Sequence, residues 1–129
     1  MRKLTFAQIP PGTGPLVPGV VDPPRPVAKG GFRRYDEPGF RTHDGDDPHV
    51  HPHTHELFWI FQGSGTLEID GHAADTFAPG EVVVIEPGED HHLVSTGPVP
   101  LVFTWMQLDP LPGAGTEGAA PGLTGTGTA

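Results

Sequence analysis

Apolar residues in this chain do not recur at the i, i+3, i+4 interval of a helix over any long window. They come in short β-rich runs separated by turn signals. Residues 57–62, LFWIFQ, predict a strand that ends at Gly63-Ser64-Gly65. Residues 66–70, TLEID, alternate polar and apolar, the period of a half-buried strand. They run into Asp70-Gly71, a hairpin signal because both central positions need positive φ. Residues 72–77, HAADTF, return, and Ala78-Pro79-Gly80 turns the chain. EVVVIE (81–86) is a continuous apolar run, as for a strand covered on both faces. Beyond Pro87-Gly88 come HHLVST (91–96) and LVFTWMQL (101–108), split by Gly97-Pro98-Val99-Pro100. Strands every ~8–12 residues are the rhythm of an antiparallel sandwich or barrel, so the fold class is all-β. The sequence has no internal repeat, no phosphate-cradling glycine loop, and no Ser/His/Asp or Cys/His arrangement.

Composition changes the picture at the two ends. Of 19 Gly and 17 Pro, 12 lie in residues 1–31 and 9 in residues 110–129. The chain therefore divides into a Pro/Gly-rich extended arm (1–31), a β-domain (32–109) and a Gly/Ala/Thr-rich tail (110–129). The tail buries too little apolar area to offset its ordering entropy and is expected to be disordered. The arm carries Leu4, Phe6, Ile9, Leu16, Val17, Val20 and Val21, too apolar for a pure linker, and is expected along a sheet edge or on a partner subunit. A middle of 78 residues makes a small core, so a homodimer is expected.

Charge and cysteine usage exclude several classes. The net charge of −9 argues against nucleic-acid or anionic-membrane partners. With no Cys there is no disulfide framework and no thiolate metal site. MRKLTFAQIPPG lacks the apolar stretch of a signal peptide, and no apolar run approaches the ~18–20 residues of a membrane span. A cytoplasmic location is the expectation.

The chemistry concentrates in residues 49–56, HVHPHTHE, which hold four of the eight histidines. In a strand His49 and His51 would share a face. Glu56 opens the next strand after a short loop, and His91 opens a strand just after a tight turn. Imidazoles and a carboxylate brought together from separate strands suit Zn, Fe, Mn, Ni or Co. The competing reading is a loose His-rich surface tract without a built site.

Two spaced motifs resemble those of the cupin superfamily. The first is H-x-H, four residues, E, six residues, G: His49-Val50-His51, Glu56 and Gly63. The second is G, five residues, P-x-G, two residues, H: Gly80, Glu86-Pro87-Gly88 and His91. Sixteen residues separate the two glycines, and the resemblance covers roughly residues 40–108. This region is also similar to the N-terminal sensor domains of arabinose-regulator-type transcription factors. The resemblance implies a jelly-roll barrel of six to eight antiparallel strands, the double-stranded β-helix. It implies one divalent transition metal (Fe, Mn, Ni, Zn or Co) on His49, His51, Glu56 and His91. The chain departs from the pattern at three positions: His43 where motif one opens with Gly, Glu86 where Pro is usual, and Ser95 where Asn is frequent.

Strand geometry favours the His49/His51 register, because Pro52 lacks the N–H that a ladder needs. His51/His53 would place Pro52 between the ligands, and His53/His55 would put a ligand beside Glu56 on the opposite face. His53 and His55 then belong to a solvated loop at the pocket mouth, with substrate contact by His53 a minority reading. His43 and His72 are expected to be solvated, and His92 faces away from the site. Asp44, Asp46 and Asp47 form a solvated acidic loop that lacks the EF-hand spacing. Phe58 and Ile60 share the face of Glu56 and would line the pocket. Trp105 is chiefly core. Gln107 is a candidate supporting or substrate-contacting group on a strand whose phase stays open.

The implied function is a metal-dependent enzyme acting on a small organic molecule in the barrel. The reaction would be of dioxygenase, decarboxylase or lyase, isomerase or cyclase type. Glu56 is the expected catalytic residue, a ligand able to detach and take a proton. The alternative is a non-catalytic binding or sensor module for a sugar-like molecule. No helix-turn-helix pattern follows residue 108, which lowers that reading.

Overall fold

The computed structural model describes residues 1–12, 20–45, 48–111 and 113. The tail expected to be disordered lies outside these apart from Pro110, Leu111 and Gly113, as do Asp46 and Asp47 of the acidic loop. Eight strands follow in order: β1 (Arg2–Thr5), β2 (Val27–Tyr35), β3 (Glu56–Gln62), β4 (Gly65–Ile69), β5 (His72–Phe77), β6 (Glu81–Ile85), β7 (His91–Ser95) and β8 (Leu101–Leu108). A single 3-10 turn, Phe6–Gln8, is the only helical element among the described residues. No helix among them is long and apolar enough to cross a membrane.

The strands form a five-stranded sheet, β1-β6-β3-β8-β2, and a three-stranded sheet, β5-β4-β7. Every ladder is antiparallel. Period-two alternation decides what faces inward. Phe58, Ile60, Val83, Ile85, Leu101, Phe103 and Trp105 from the large sheet meet Leu67, Ile69, Phe77 and Leu93 from the small one. The run Val82–Ile85 is apolar throughout because both its faces are covered. Val83 and Ile85 join this inner core, while Val82 and Val84 join an outer cluster with Val20, Val21, Leu57 and Leu108.

The turns follow the expected chemistry. Asp70 and Gly71 both take positive φ (51° and 81°) and close the β4–β5 hairpin. Gly65 is required for another reason. A Cβ there would lie 1.9 Å from the Val94 carbonyl and 2.6 Å from the Phe77 ring.

Part of the segment drawn as an arm (1–31) runs along a sheet edge, one of the two places expected for it. Arg2–Thr5 pairs with β6 along the sheet edge, and Leu4 and Ile9 pack on the outer cluster. β2 begins at Val27, so its ladder with β8 runs through residue 31. β2 is an edge strand with mostly exposed residues, so no apolar alternation marks it in the sequence.

Candidate metal centre

Glu56 opens β3 on the inner face of the large sheet, with Ile85 and Gln107 as its cross-strand neighbours. His91 opens β7 in the small sheet. The two sheets therefore present a carboxylate and an imidazole to each other at one end of the barrel. His49 and His51 come from the segment that leads into β3.

His49 and His51 do not lie on a strand, contrary to the sequence expectation. The segment holds its place through backbone acceptors. The His49 carbonyl accepts from the His91 N–H (3.1 Å), and the His51 carbonyl from the Gly88 N–H (3.0 Å). The His49 N–H donates to Asp90 Oδ1 at 2.7 Å. Pro52 follows at once in a turn, so the pairing cannot extend into a ladder. The two rings still point to one place.

His49, His51, Glu56 and His91 are all buried, and one donor atom from each lies within 4.8 Å of the others. Glu56 Oε1 is 3.0 Å from His51 Nε2 and 2.8 Å from His91 Nε2. His91 Nδ1–H donates to the Glu89 carbonyl at 3.0 Å, which turns Nε2 toward the carboxylate. Gln107 settles its phase inward, with Nε2 donating to Glu56 Oε2 at 3.4 Å. Burial alone would raise the Glu56 carboxyl, but hydrogen bonds from His51 and His91 outweigh it and hold the group at about 2. Burial likewise opposes charge on His91, and Glu56 outweighs it, so the imidazole is raised.

These residues fit a metal ion. Donors held at ~2.1 Å from one ion lie about 3–4 Å from each other, close to the spacing present. Nitrogens and a carboxylate oxygen this close in a buried site need a shared proton or a cation between them. In the metal-free protein hydrogen bonds can bridge these atoms, and a divalent cation would replace the protons in them. Three imidazoles and one carboxylate are the donor types taken by Fe, Mn, Ni, Zn and Co.

The other candidates fall around this centre. Phe58 and Ile60 are fully buried in the inner core, with the Phe58 ring 5.9 Å from that of His91. Trp105 is in the core as expected, and Arg33 lies over its ring at 5.8 Å. His53 is half-buried in the turn after Pro52, its carbonyl accepting from the Leu111 N–H. His72 is exposed.

Two histidines, His55 and His43, depart from their expected solvated roles. His55 is buried, with Nδ1 2.5 Å from Arg25 Nη2 and Nε2 3.0 Å from Glu86 Oε2. Burial, reinforced by Arg25 and Arg2, outweighs the pull of Glu86 and lowers its pKa. It borders a cavity of about 490 Å³ lined by Arg2, Asp22 and Glu86 rather than the barrel mouth. His92 faces away from the centre as expected and has a structural place, buried and bonding the Thr42 carbonyl through Nδ1 at 2.7 Å. His43 is half-buried, and its ring stacks on that of His49. Asp90 is a supporting residue missed in the sequence. Its signal is a short acceptor side chain one position before His91, suited to holding a backbone N–H.

A two-sheet antiparallel barrel with three imidazoles and a carboxylate converging between its sheets defines a class: jelly-roll proteins with a candidate single-ion centre. The cupin domain model matches residues 37–107, more than half of the chain, and the chain belongs to the cupin family. No curated protein sequence matches it. Among solved structures it is similar to a predicted oxalate decarboxylase from Thermotoga maritima, with TM-score 0.54 and 23% identity over 64% of this chain and 65% of that one. A Cupin 2 conserved barrel domain protein from Salinispora arenicola matches with TM-score 0.53 and 20% identity, over 92% and 82% of the two chains. A variant of Bacillus subtilis oxalate decarboxylase matches with TM-score 0.51 and 27% identity, over 64% of this chain and 22% of that one. The first two likenesses show a shared fold. The chain spans just under two thirds of the Thermotoga protein and about a fifth of the Bacillus one.

Proposed function

We propose that this cupin is a metal-dependent enzyme acting on a small organic molecule, with its ion held by His49, His51, Glu56 and His91. One observation carries the reading: four buried donors from two sheets and an intervening segment lie within 4.8 Å of one another. Four protein donors close a tetrahedral shell but leave positions open on an ion that takes five or six ligands. The reading therefore favours Fe, Mn, Ni or Co over a closed zinc site. When bound, such an ion supplies Lewis-acid or redox chemistry.

The chain's own residues supply the rest. Glu56 is the residue that would take a proton on leaving the ion, through the oxygen that the His51 and His91 nitrogens address. Gln107 restrains the other carboxylate oxygen. Phe58, Ile60, Phe103 and Trp105 exclude water from the barrel side of the centre. The likeness to Bacillus subtilis oxalate decarboxylase supports a small organic acid as substrate class. Azide added to the Co²⁺-loaded protein tests for an open position: the visible ligand-field bands should shift. An unchanged spectrum at saturating azide would mean a closed structural site and would sink the enzyme reading.

A homodimer is proposed on a second observation. Phe32 (71% exposed) and Phe61 (49% exposed) stack at 6.3 Å, and Phe6 joins Phe61 and Trp59 within 6.0 Å. This aromatic patch lies on the large sheet, where a second copy would bury it. Light scattering giving a stable monomer at micromolar concentration would remove the dimer.

A further inference from the structure

His43 is not one of the four metal donors, yet its ring stacks flat on one of them. The His43 and His49 rings lie 3.7 Å apart between centroids and within 13° of parallel. The other neighbours of His49 meet it at an angle: His51 at 5.0 Å and 84°, His91 at 4.9 Å and 64°. One face of the His49 imidazole is thus covered flat, while its remaining sides are bounded by rings set across it. Rotation of His49 about its ring axis would drive its edge into the His43 face, already at van der Waals separation.

The backbone is arranged to put the His43 ring there. Thr42 is tied to β7 at three points. Its N–H donates to the Leu93 carbonyl (3.0 Å), its hydroxyl accepts from the Leu93 N–H (2.9 Å), and its carbonyl accepts from His92 Nδ1 (2.7 Å). From that fixed point His43 adopts φ 50°, in the left-handed region. Residues with a side chain enter this region at a cost, histidine more readily than most. The conformation turns the chain so that the side chain of residue 43 lies over residue 49. Glycine would take the same φ freely but would carry no ring.

The geometry also says what His43 does not do. A metal lies in the plane of the imidazole that binds it. An ion in the His49 plane would sit about as far from the parallel His43 plane as the two rings are from each other. That exceeds the ~2.0–2.1 Å of a metal–nitrogen bond, so the stacked ring cannot also ligate that ion. The stack has a second consequence once His49 shares its lone pair with a cation. The bound imidazole becomes electron-poor, and an electron-rich aromatic face against it is favourable.

We propose that His43 is a positioning residue for the metal centre. Its flat ring holds His49 in the plane needed for binding and strengthens metal capture without contacting the ion. This rests on the metal-centre reading above, and the test separates the two. The full chain, stripped with chelator, is titrated with Co²⁺ and followed by visible absorption, for the unmodified protein and for His43→Gly and His43→Asn. Both replacements tolerate positive φ and remove the ring.

The expected result has two parts. Each variant melts in chelator at or near the temperature of the unmodified protein, the glycine variant no lower. Each binds Co²⁺ on the order of tenfold more weakly, with displaced ligand-field bands, the size typical of losing a group that orients a ligand. A merely structural residue would not separate these two readouts. A folded variant with unchanged affinity and bands would overturn the proposal, as would loss of folding in chelator by both variants. Failure of the unmodified protein itself to take up Co²⁺ would instead refute the metal-centre reading.

Discussion

Glu56→Gln should flatten or reverse the pH dependence of stability in the metal-free protein. Glu56 is fully buried, and its Oε1 lies 3.0 Å from His51 Nε2 and 2.8 Å from His91 Nε2. Burial pushes the carboxyl up, and the two imidazoles outweigh it to hold the group at about 2 against an ordinary 4.5. A depressed carboxyl contributes stability that is present above 4.5 and lost as pH falls through about 2. The difference corresponds to about 3 kcal/mol. His91 is the other half of the same interaction, so the energy is counted once. Its raised pKa contributes stability that is full below the ordinary 6.5 and lost as pH rises through the higher folded value. The unmodified protein should therefore lose on the order of 1–3 kcal/mol from ~pH 6 to ~pH 9. In Glu56→Gln the two Glu56 contributions are gone and burial is opposed only by the hydrogen bond to the Glu89 carbonyl and by Asp90, so the His91 pKa falls and the downward slope is lost or reversed. His55, also lowered, adds the same slope to both proteins and cancels in the comparison. Urea unfolding in chelator, followed by the fluorescence of Trp59 and Trp105, reads both slopes. Equal downward slopes in the two proteins would refute the pairing of Glu56 with His91.

Two further outcomes follow from the packing and the backbone. Gly65→Ala forces a Cβ to within 1.9 Å of the Val94 carbonyl and 2.6 Å of Phe77. It should lower the melting temperature on the order of 10 °C or abolish folding, and a calorimetric scan within 2 °C of the unmodified protein would contradict that close approach. Asp90→Ala leaves the His49 N–H without the acceptor it has at 2.7 Å. It should cost about 1–3 kcal/mol in urea unfolding and weaken Co²⁺ binding at least tenfold, whereas unchanged affinity would show that the anchor does not matter to the centre.

The strands from Glu56 onward were legible because local signals agreed. The alternation in β4, the Asp70-Gly71 turn and the doubly covered run of β6 each have one structural reading. β2 was not, because an edge strand with exposed side chains need not alternate. The phase of β8 was unreadable because apolar residues stand on both its faces, inner Phe103 and Trp105, outer Met106 and Leu108. Only its register with Glu56 sends Gln107 inward. At the centre, motif spacing singled out His49, His51, Glu56 and His91, which the fold brings together. The strand expected to carry the first two is absent: their carbonyls accept from His91 and Gly88, but the His49 N–H goes to the Asp90 side chain rather than to a neighbouring strand. The roles of His43, His55 and His92 depended on partners distant in sequence or across a turn. No local pattern announces a ring stacked on His49, the guanidinium of Arg25, or the carbonyl of Thr42.

Adjacent residues separate the central claim most cleanly. His91 turns its ring toward Glu56, while His92, next in the chain and equally buried, bonds the Thr42 carbonyl on the other side. Elemental analysis after purification and reconstitution should find about one divalent metal per chain in the unmodified protein. It should find about as much in His92→Ala and close to none in His91→Ala. Equal metal content in the two variants, or none in the unmodified protein after reconstitution, would contradict the assignment of His49, His51, Glu56 and His91 as a metal centre.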